Sequence, residues 1–163
     1  MGKAEVSLPS DREVKVVRSF KAPRGLVYRA YTEPELLRRW MLGPPGWTMP
    51  VCEMDVRVGG KYRWRWRSEG DGNEFGFTGV FREVEPPRKL VHTELYDPGD
   101  VGGDMGGEAL IIVELTEKTG VTTVTSIMDF GSPEARDAAM ATGMTDGMEA
   151  SYQLLDALVL EVA

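Results

Sequence analysis

The chain has 163 residues, 42% of them hydrophobic and 28% charged, which fits one globular domain with a real core and excludes wholesale disorder. With 19 Lys and Arg against 26 Asp and Glu, the formal charge is −7, which argues against the basic surfaces that nucleic acids and anionic membranes require. Cys52 and His92 are the only residues of their types, so an internal disulfide, a cysteine-rich zinc site and His–His metal motifs are excluded, and neither a metal nor another cofactor is expected.

Met1–Arg12 is polar, lacks the apolar stretch of a signal peptide, and reads as a flexible tail before a single domain over 13–163. No window approaches about 18 consecutive apolar residues, so no membrane insertion is expected. With one unpaired cysteine, the expected location is the cytoplasm. Glu13–Phe20 (EVKVVRSF) has strand character. Two short helices follow: Pro23 opens the first, with Leu26, Val27, Ala30 and Tyr31 at helical spacing, and Pro34 opens the second, PELLRRWM. The stretch GPPGWTMP, 43–50, reads as a loop.

From Val51 the period becomes two. Cys52, Met54 and Val56 alternate with Glu53, Asp55 and Arg57. After a turn at Gly59–Gly60 comes the sharpest alternation in the chain, with Tyr62, Trp64 and Trp66 on one face and Arg63, Arg65 and Arg67 on the other. Further strands are expected at Phe75–Val84 and Lys89–Tyr96, separated by Pro86–Pro87. An acidic, glycine-rich loop covers Asp97–Gly107, and Glu108–Glu117 with Val121–Phe130 form a hairpin. Ser132, Pro133 and Glu134 then make a helix start. Apolar residues at helical spacing (Met140, Met144, Met148, Leu155, Val159) predict one helix of nearly thirty residues, about 45 Å long. Gly143 and Gly147 lie inside it, where they imply a bend or a close approach to the sheet. Strands in sequence followed by one long helix mean α+β.

This order resembles the START-like, helix-grip superfamily, also called SRPBCC, and most closely its branch named after the activator of the 90-kDa heat-shock protein ATPase. The segments APRGLVYRAYTEPELLRRWM, GGKYRWRW, TGVFREVEPPRKLVHTE and SPEARDAAMATGM carry the resemblance, which runs from Val14 to Leu160. It implies a curved antiparallel sheet of about six to seven strands wrapped around the long C-terminal helix, with two short helices after the first strand. It also implies an elongated cavity between sheet and helix, which in characterised relatives holds lipids, polyketides or other hydrophobic small molecules.

The candidate ligand-binding residues follow from that cavity. Tyr62, Trp64 and Trp66 offer flat apolar walls with a few N–H and O–H handles. Trp47 borders the Gly/Pro loop near the implied mouth and is a gate candidate. Met140, Met144 and Met148 present adaptable thioethers from the last helix, and Met54 and Met128 add to the lining from strands. In LVHTELY, alternation leaves open which face is buried. By the resemblance, the positions of His92 and Glu94 face the cavity and carry large apolar residues in related sequences. This chain departs there twice on one strand face, which makes His92 and Glu94 candidates for a polar anchor.

The expected function is therefore binding of an apolar, lipid- or polyketide-like molecule by a monomer or homodimer. Two alternatives are a co-chaperone-like regulator of a 90-kDa heat-shock protein ATPase and a cyclase- or hydratase-type enzyme using His92 and Glu94. The catalytic alternative ranks below binding because the sequence offers few acids or bases for the cavity. Asp97, Asp100, Asp104 and Glu108 cluster in the acidic loop, but their spacing does not match an EF-hand. Cys52 alternates with Met54 and reads as a small buried hydrophobe.

Overall fold

A computed structural model of the chain describes residues 2–102 and 107–162. Its accessible surface of 8278 Å² is close to the roughly 8,000 Å² that area scaling gives a compact monomer of this size. Eight strands form one antiparallel sheet: β1 (Glu5–Ser7), β2 (Glu13–Phe20), β3 (Trp47–Met54), β4 (Lys61–Ser68), β5 (Glu74–Glu85), β6 (Lys89–Asp97), β7 (Ala109–Lys118) and β8 (Val121–Asp129). Their order is β1-β2-β8-β7-β6-β5-β4-β3. Helices α1 (Arg24–Thr32) and α2 (Pro34–Trp40) follow β2, and α3 (Pro133–Ala141) and α4 (Met144–Val162) close the described chain.

Three expectations are corrected. The sheet has eight strands rather than six or seven, because Glu5–Ser7, read from sequence as tail, pairs with Val17–Lys15 of β2. Strand β3 begins at Trp47 rather than Val51, since a register shift between Thr48 and Val51 lets Met49 and Pro50 sit inside a paired strand. The terminal helix is two helices. Gly143 takes a left-handed φ of +79°, and the break falls there. Gly147 continues α4 with open space where a Cβ would stand, so it makes no close approach to the sheet. The expected start is met: Ser132 Oγ accepts from the Ala135 N–H at 3.1 Å, with Pro133 at the first helical position.

Strand β2 alternates strictly, with Val14, Val16, Arg18 and Phe20 all buried on the inner face. Arg18 is the exception in chemistry, and its charge is answered from α4. Its guanidinium reaches Glu149 at 3.1–3.2 Å and Asp156 at 2.8–3.0 Å, two oxygens of each. Its carbon also sits 5.1 Å from the centre of the Phe20 ring and 5.9 Å from that of Tyr152. Burial works against the Arg18 charge, but the hydrogen bonds to Asp156 and Glu149 outweigh it and raise the pKa. Burial likewise opposes ionisation of Glu149, yet the bonds from Arg18, the Ala4 N–H and Gln153 hold its pKa below the usual value. Since Ala4 precedes β1, one carboxylate ties both β1 and β2 to α4.

Around this clasp the helices pack. Trp40 Nε1 donates to the Ala30 carbonyl at 2.9 Å, and the Trp40 ring stacks on Tyr152. Helix α4 lies against α2, α1, α3 and β2, while α1 also covers β7 and β8 and α2 covers β3. No helix packs as closely on β4, β5 or β6. None of the described helices is long and apolar enough to cross a membrane.

Removing one partner of a buried ion pair leaves charge without compensation and costs about 3 kcal/mol or more. Arg18→Ala is expected to lower unfolding stability by about 3 kcal/mol in urea titrations at pH 7. Adding Glu149→Gln and Asp156→Asn should recover part of that loss. A variant as stable as the parent would mean that the clasp contributes nothing.

Candidate functional site

The part of the inner face to which no helix comes as close, on β4, β5 and β6, is built from aromatic side chains. Cross-strand pairing places Trp64 between Cys52 of β3 and Phe77 of β5, Trp66 beside Phe75, and Tyr62 beside Met54 and Gly79. Farther along the same face, Phe81 pairs with His92 and Phe77 with Tyr96, and His92 pairs in turn with Ile111 of β7, whose own partner is Met128. Tyr62, Trp64, Trp66, Phe81 and His92 are all buried. Ring centres lie 4.3 Å apart for Tyr62 and Trp64, 5.1 Å for Tyr62 and His92, and 5.9 Å for Trp64 and His92.

Tyr62 reaches across β5 because Gly79 has no side chain. A Cβ there would stand 2.1 Å from the Thr93 carbonyl oxygen and 2.5 Å from the tyrosine ring. Through that gap Tyr62 Oη donates to the Thr93 carbonyl at 2.5 Å. His92 Nδ1 lies 3.1 Å from Tyr62 Oη and 3.0 Å from the same carbonyl. The carbonyl only accepts, and the phenol's one proton is already given to it. The network therefore assigns the imidazole proton to Nδ1 and leaves Nε2 as a bare acceptor.

Burial lowers the His92 pKa to about 4, against a weaker opposing bond to Thr93, so the ring is neutral at pH 7. Glu94, the next residue on this face, pairs with Ala109 of β7 and keeps some solvent contact. Even so, burial pushes its carboxyl up to about 7. Tyr62 is raised as well, by burial first and then by the charges of Glu94 and Glu108. Trp66 Nε1 donates to the Met41 carbonyl at 2.7 Å, which ties β4 to the end of α2. Trp64 Nε1 is buried and finds no acceptor among the described residues.

The expected site residues thus divide. Tyr62, Trp64, Trp66 and His92 form one contact cluster; Glu94 shares their face, Met54 flanks Tyr62, and Trp47 joins edge-on through Phe75 at 5.3 Å. Met128 lies two strands from His92. Met140, Met144 and Met148 are half-buried against the core around the α3–α4 break. Sequence reasoning passed over Phe75, Phe77 and Phe81, which continue the tryptophan face by cross-strand pairing. It also passed over Gly79 and Thr93, on which the His92 network rests. Gly79 carried a signal, being a glycine inside a strand pattern.

The arginine stripe faces outward as expected. Arg65 binds Glu74 and Asp97, and Arg67 binds Glu74. Two clefts open near this sheet, the first about 620 Å³ with Glu53, Lys61, Arg63 and Leu95 in its walls. Both are open clefts; Tyr62, Gly79 and Thr93 also line the first, while Trp64, Trp66 and His92 line neither. In the acidic loop, Asp97 holds Arg65 and Asp100 accepts from the Glu74 N–H, while Asp104 lies outside the described residues. Among the described residues no three His, Cys, Asp or Glu side chains converge on a metal position. Cys52 is buried with its thiol pushed up to about 11, which leaves it protonated at neutral pH.

Two tests follow. Gly79→Ala should displace Tyr62 and break its bond to Thr93, seen as loss of stability with a changed near-ultraviolet circular dichroism spectrum. An unperturbed spectrum would refute the packing described. The second concerns pH. Native His92 stays neutral while the unfolded chain takes up its proton below about 6.5, so this residue makes stability fall as pH drops from 6.5 toward 4. Native Glu94 stays protonated while the unfolded chain releases its proton above about 4.5, so this residue makes stability fall as pH rises from 4.5 to 7. The two slopes oppose each other, each bounded by about 3 kcal/mol and the second smaller because Glu94 is not fully enclosed. Relative to the parent, Glu94→Gln should lose more stability between pH 6.5 and 5, and His92→Phe should lose more between pH 5 and 7. Parallel urea-unfolding profiles for all three proteins would contradict both assignments.

Residues 21–160 match the family model described as Activator of Hsp90 ATPase homolog 1-like protein. None of the curated proteins matches the chain. Among solved structures, a crystal structure from Rhodobacter sphaeroides superposes with a TM-score of 0.89 at 33% identity, covering 98% of this chain and 99% of that one. A crystal structure from Nitrosomonas europaea gives a TM-score of 0.81 at 25% identity, covering 94% and 97%. A solution structure from Arthrobacter aurescens gives 0.81 at 26%, covering 96% and 91%. The likeness spans essentially the whole fold, and the resemblance read from the sequence motifs is met. The chain belongs to the family of Activator of Hsp90 ATPase homolog 1-like proteins.

Proposed function

We propose that the protein binds an apolar, ring-bearing small molecule against the inner face of β4, β5 and β6, on the side toward the C-terminal helices. The observation that carries this reading is the coincidence of two features on one patch. The patch is the densest aromatic surface in the molecule, and it is the stretch of sheet on which no helix packs closely. Aromatic walls with a few convergent polar groups are the ordinary make-up of a small-molecule site. Trp47 is the gate in this reading, being half-buried and edge-on to Phe75. The methionines around the α3–α4 break suit an adaptable wall, because a glycine hinge and flexible thioethers sit together there. His92 and Glu94 supply the polar anchor.

Two other readings have particular support. The family description points to a regulator of the 90-kDa heat-shock protein ATPase, which stimulation of that ATPase by the purified protein would favour. A carboxyl held near pH 7 beside a neutral imidazole suits acid–base chemistry of the cyclase or hydratase type. Turnover abolished by Glu94→Gln would favour that one.

Native mass spectrometry of gently purified protein, with a calorimetric screen of apolar ring compounds, tests the binding reading. Saturable binding or a co-purified mass is expected. Neither appearing would overturn it. His92→Phe and Glu94→Leu, singly and together, should weaken retention at least about tenfold, the worth of one buried polar contact. Both should raise thermal stability of the empty protein, because an apolar side chain replaces a polar one on an apolar face. Unchanged retention in all three variants would rule out the anchor.

A further inference from the structure

We infer that the first cleft, about 620 Å³, is a binding site for a zwitterionic dipeptide with apolar side chains, its carboxylate held by Lys61 and Arg63 and its ammonium by Glu108. The inference is independent of the binding reading above, because Trp64, Trp66 and His92 do not line this cleft.

The floor of the cleft is a gap in the sheet. Pairing of β5 with β6 runs as far as Thr78 with Leu95 and resumes at Phe81 with His92. In between, the Val80 N–H is given to Thr93 Oγ1 at 2.9 Å, and the Thr93 carbonyl accepts from Tyr62 Oη. Gly79, Val80 and Thr93 all line the cleft, so main chain diverted from its ladder borders the space. Main chain without a strand partner is what an extended peptide recognises. Thr93 adds a second signal. It is only 3% exposed, and its hydroxyl accepts from Val80 while its own proton meets no acceptor among the described residues. The carbonyl of a ligand's peptide bond supplies one.

The walls set the charges. On β4, Lys61 and Arg63 stand two residues apart on one face, exposed and without an ion pair among the described residues. Of the acids, Asp55 is bound to Arg57 at 2.7 Å. Glu53 lies opposite Arg63 with no ion pair to it, and Glu108, just before β7, closes the far side. Two cations and two carboxylates are left, which favours a zwitterion over a net anion or cation. From β4 to β7 there are three strand spacings, roughly 14 Å. An extended dipeptide holds its charged ends about 7 Å apart. A lysine or arginine reaching from one side and a glutamate from the other take up the rest, whereas a single amino acid is too short. Val80 and Leu95, the latter 45% exposed, lie between the charged walls and meet the apolar side chains.

The test titrates the isotope-labelled intact protein at pH 7 and low salt with five probes, followed by nuclear magnetic resonance. Leucyl-leucine is expected to saturate and to move the amide resonances of Val80, Thr93 and Leu95. It should bind at least about threefold tighter than leucine, glycyl-glycine, N-acetyl-leucyl-leucine or leucyl-leucinamide, in keeping with exposed charge pairs. Lys61→Gln with Arg63→Gln should bring leucyl-leucine down to the level of its amide, and Glu108→Gln down to the level of its acetyl form. All three side chains are exposed, so these variants are expected to fold as the parent does. If either capped form binds as tightly as the free dipeptide, or the charge variants leave its affinity unchanged, the inference is overturned. Saturable binding that moves the Trp64 indole resonance instead of the cleft amides also overturns it, and favours the aromatic patch. No saturable binding by any of the five probes overturns the inference and leaves the binding reading standing.

Discussion

Arg18 holds the architecture together. It stands where the alternation of β2 calls for an apolar side chain, and its charge can remain there only because α4 brings Glu149 and Asp156 to it. A buried ion pair of this kind contributes little net stability compared with an apolar substitute. It does impose geometry. Two carboxylates about two turns apart on one helix face must both meet one planar guanidinium, which fixes the rotation of α4 and its position along β2. Glu149 also accepts from the Ala4 N–H, so the edge strand β1 is fixed by the same residue. With α4 held at the β2 side of the sheet, the β4–β6 side has no helix closely packed on it.

At the other end of the sheet the controlling feature is an absence of atoms. Gly79 leaves room for the Tyr62 ring to lie across β5, and the tyrosine then occupies the Thr93 carbonyl. That choice settles the tautomer of His92 from two residues away in the network, without any direct contact from a charged group. Neutral His92 and raised Glu94 are both consequences of burial, yet they tilt stability in opposite directions with pH. Their joint presence makes the patch polar at two points, with His92 neutral and Glu94 only partly ionised at neutral pH.

The strands, the helix starts and the aromatic face could be read from the sequence because each is a local pattern. Period-two alternation gave the inner and outer sides of β4, and Ser132–Pro133 marked the start of α3. What could not be read depends on partners far along the chain. Arg18 breaks the pattern of β2 visibly, but its carboxylates lie 131 and 138 residues away. In β6, Val91 and Thr93 are as buried as Leu90 and His92, so no alternation existed to choose a face. The inner face there was assigned only by pairing with Phe81 and Ile111. The helix break at Gly143 was open to either reading, since a glycine within a helical period permits a bend or a stop.

A patch that served only as core would have little use for the groups found here. Phenylalanine at position 92 and leucine at 94 would remove two desolvation penalties, and a phenylalanine at 64 would remove an unpaired donor. The chain instead keeps three polar groups on its most apolar surface. The indole N–H finds no acceptor among the described residues, the imidazole turns its Nδ1 proton to the Thr93 carbonyl, and the carboxyl stands on the next inward position of the same strand. Tyr62 with Thr93 holds His92 in the tautomer with its proton on Nδ1. Natural folds break the local rules of burial chiefly at functional sites and offset the loss elsewhere. Here the offset lies in the tightly packed half of the molecule, where Arg18, Tyr152 and Trp40 bind α4 to the sheet and to α2. The ties between helix and sheet thus gather on the β2 side, and the unpaired indole N–H stands on the β4–β6 side.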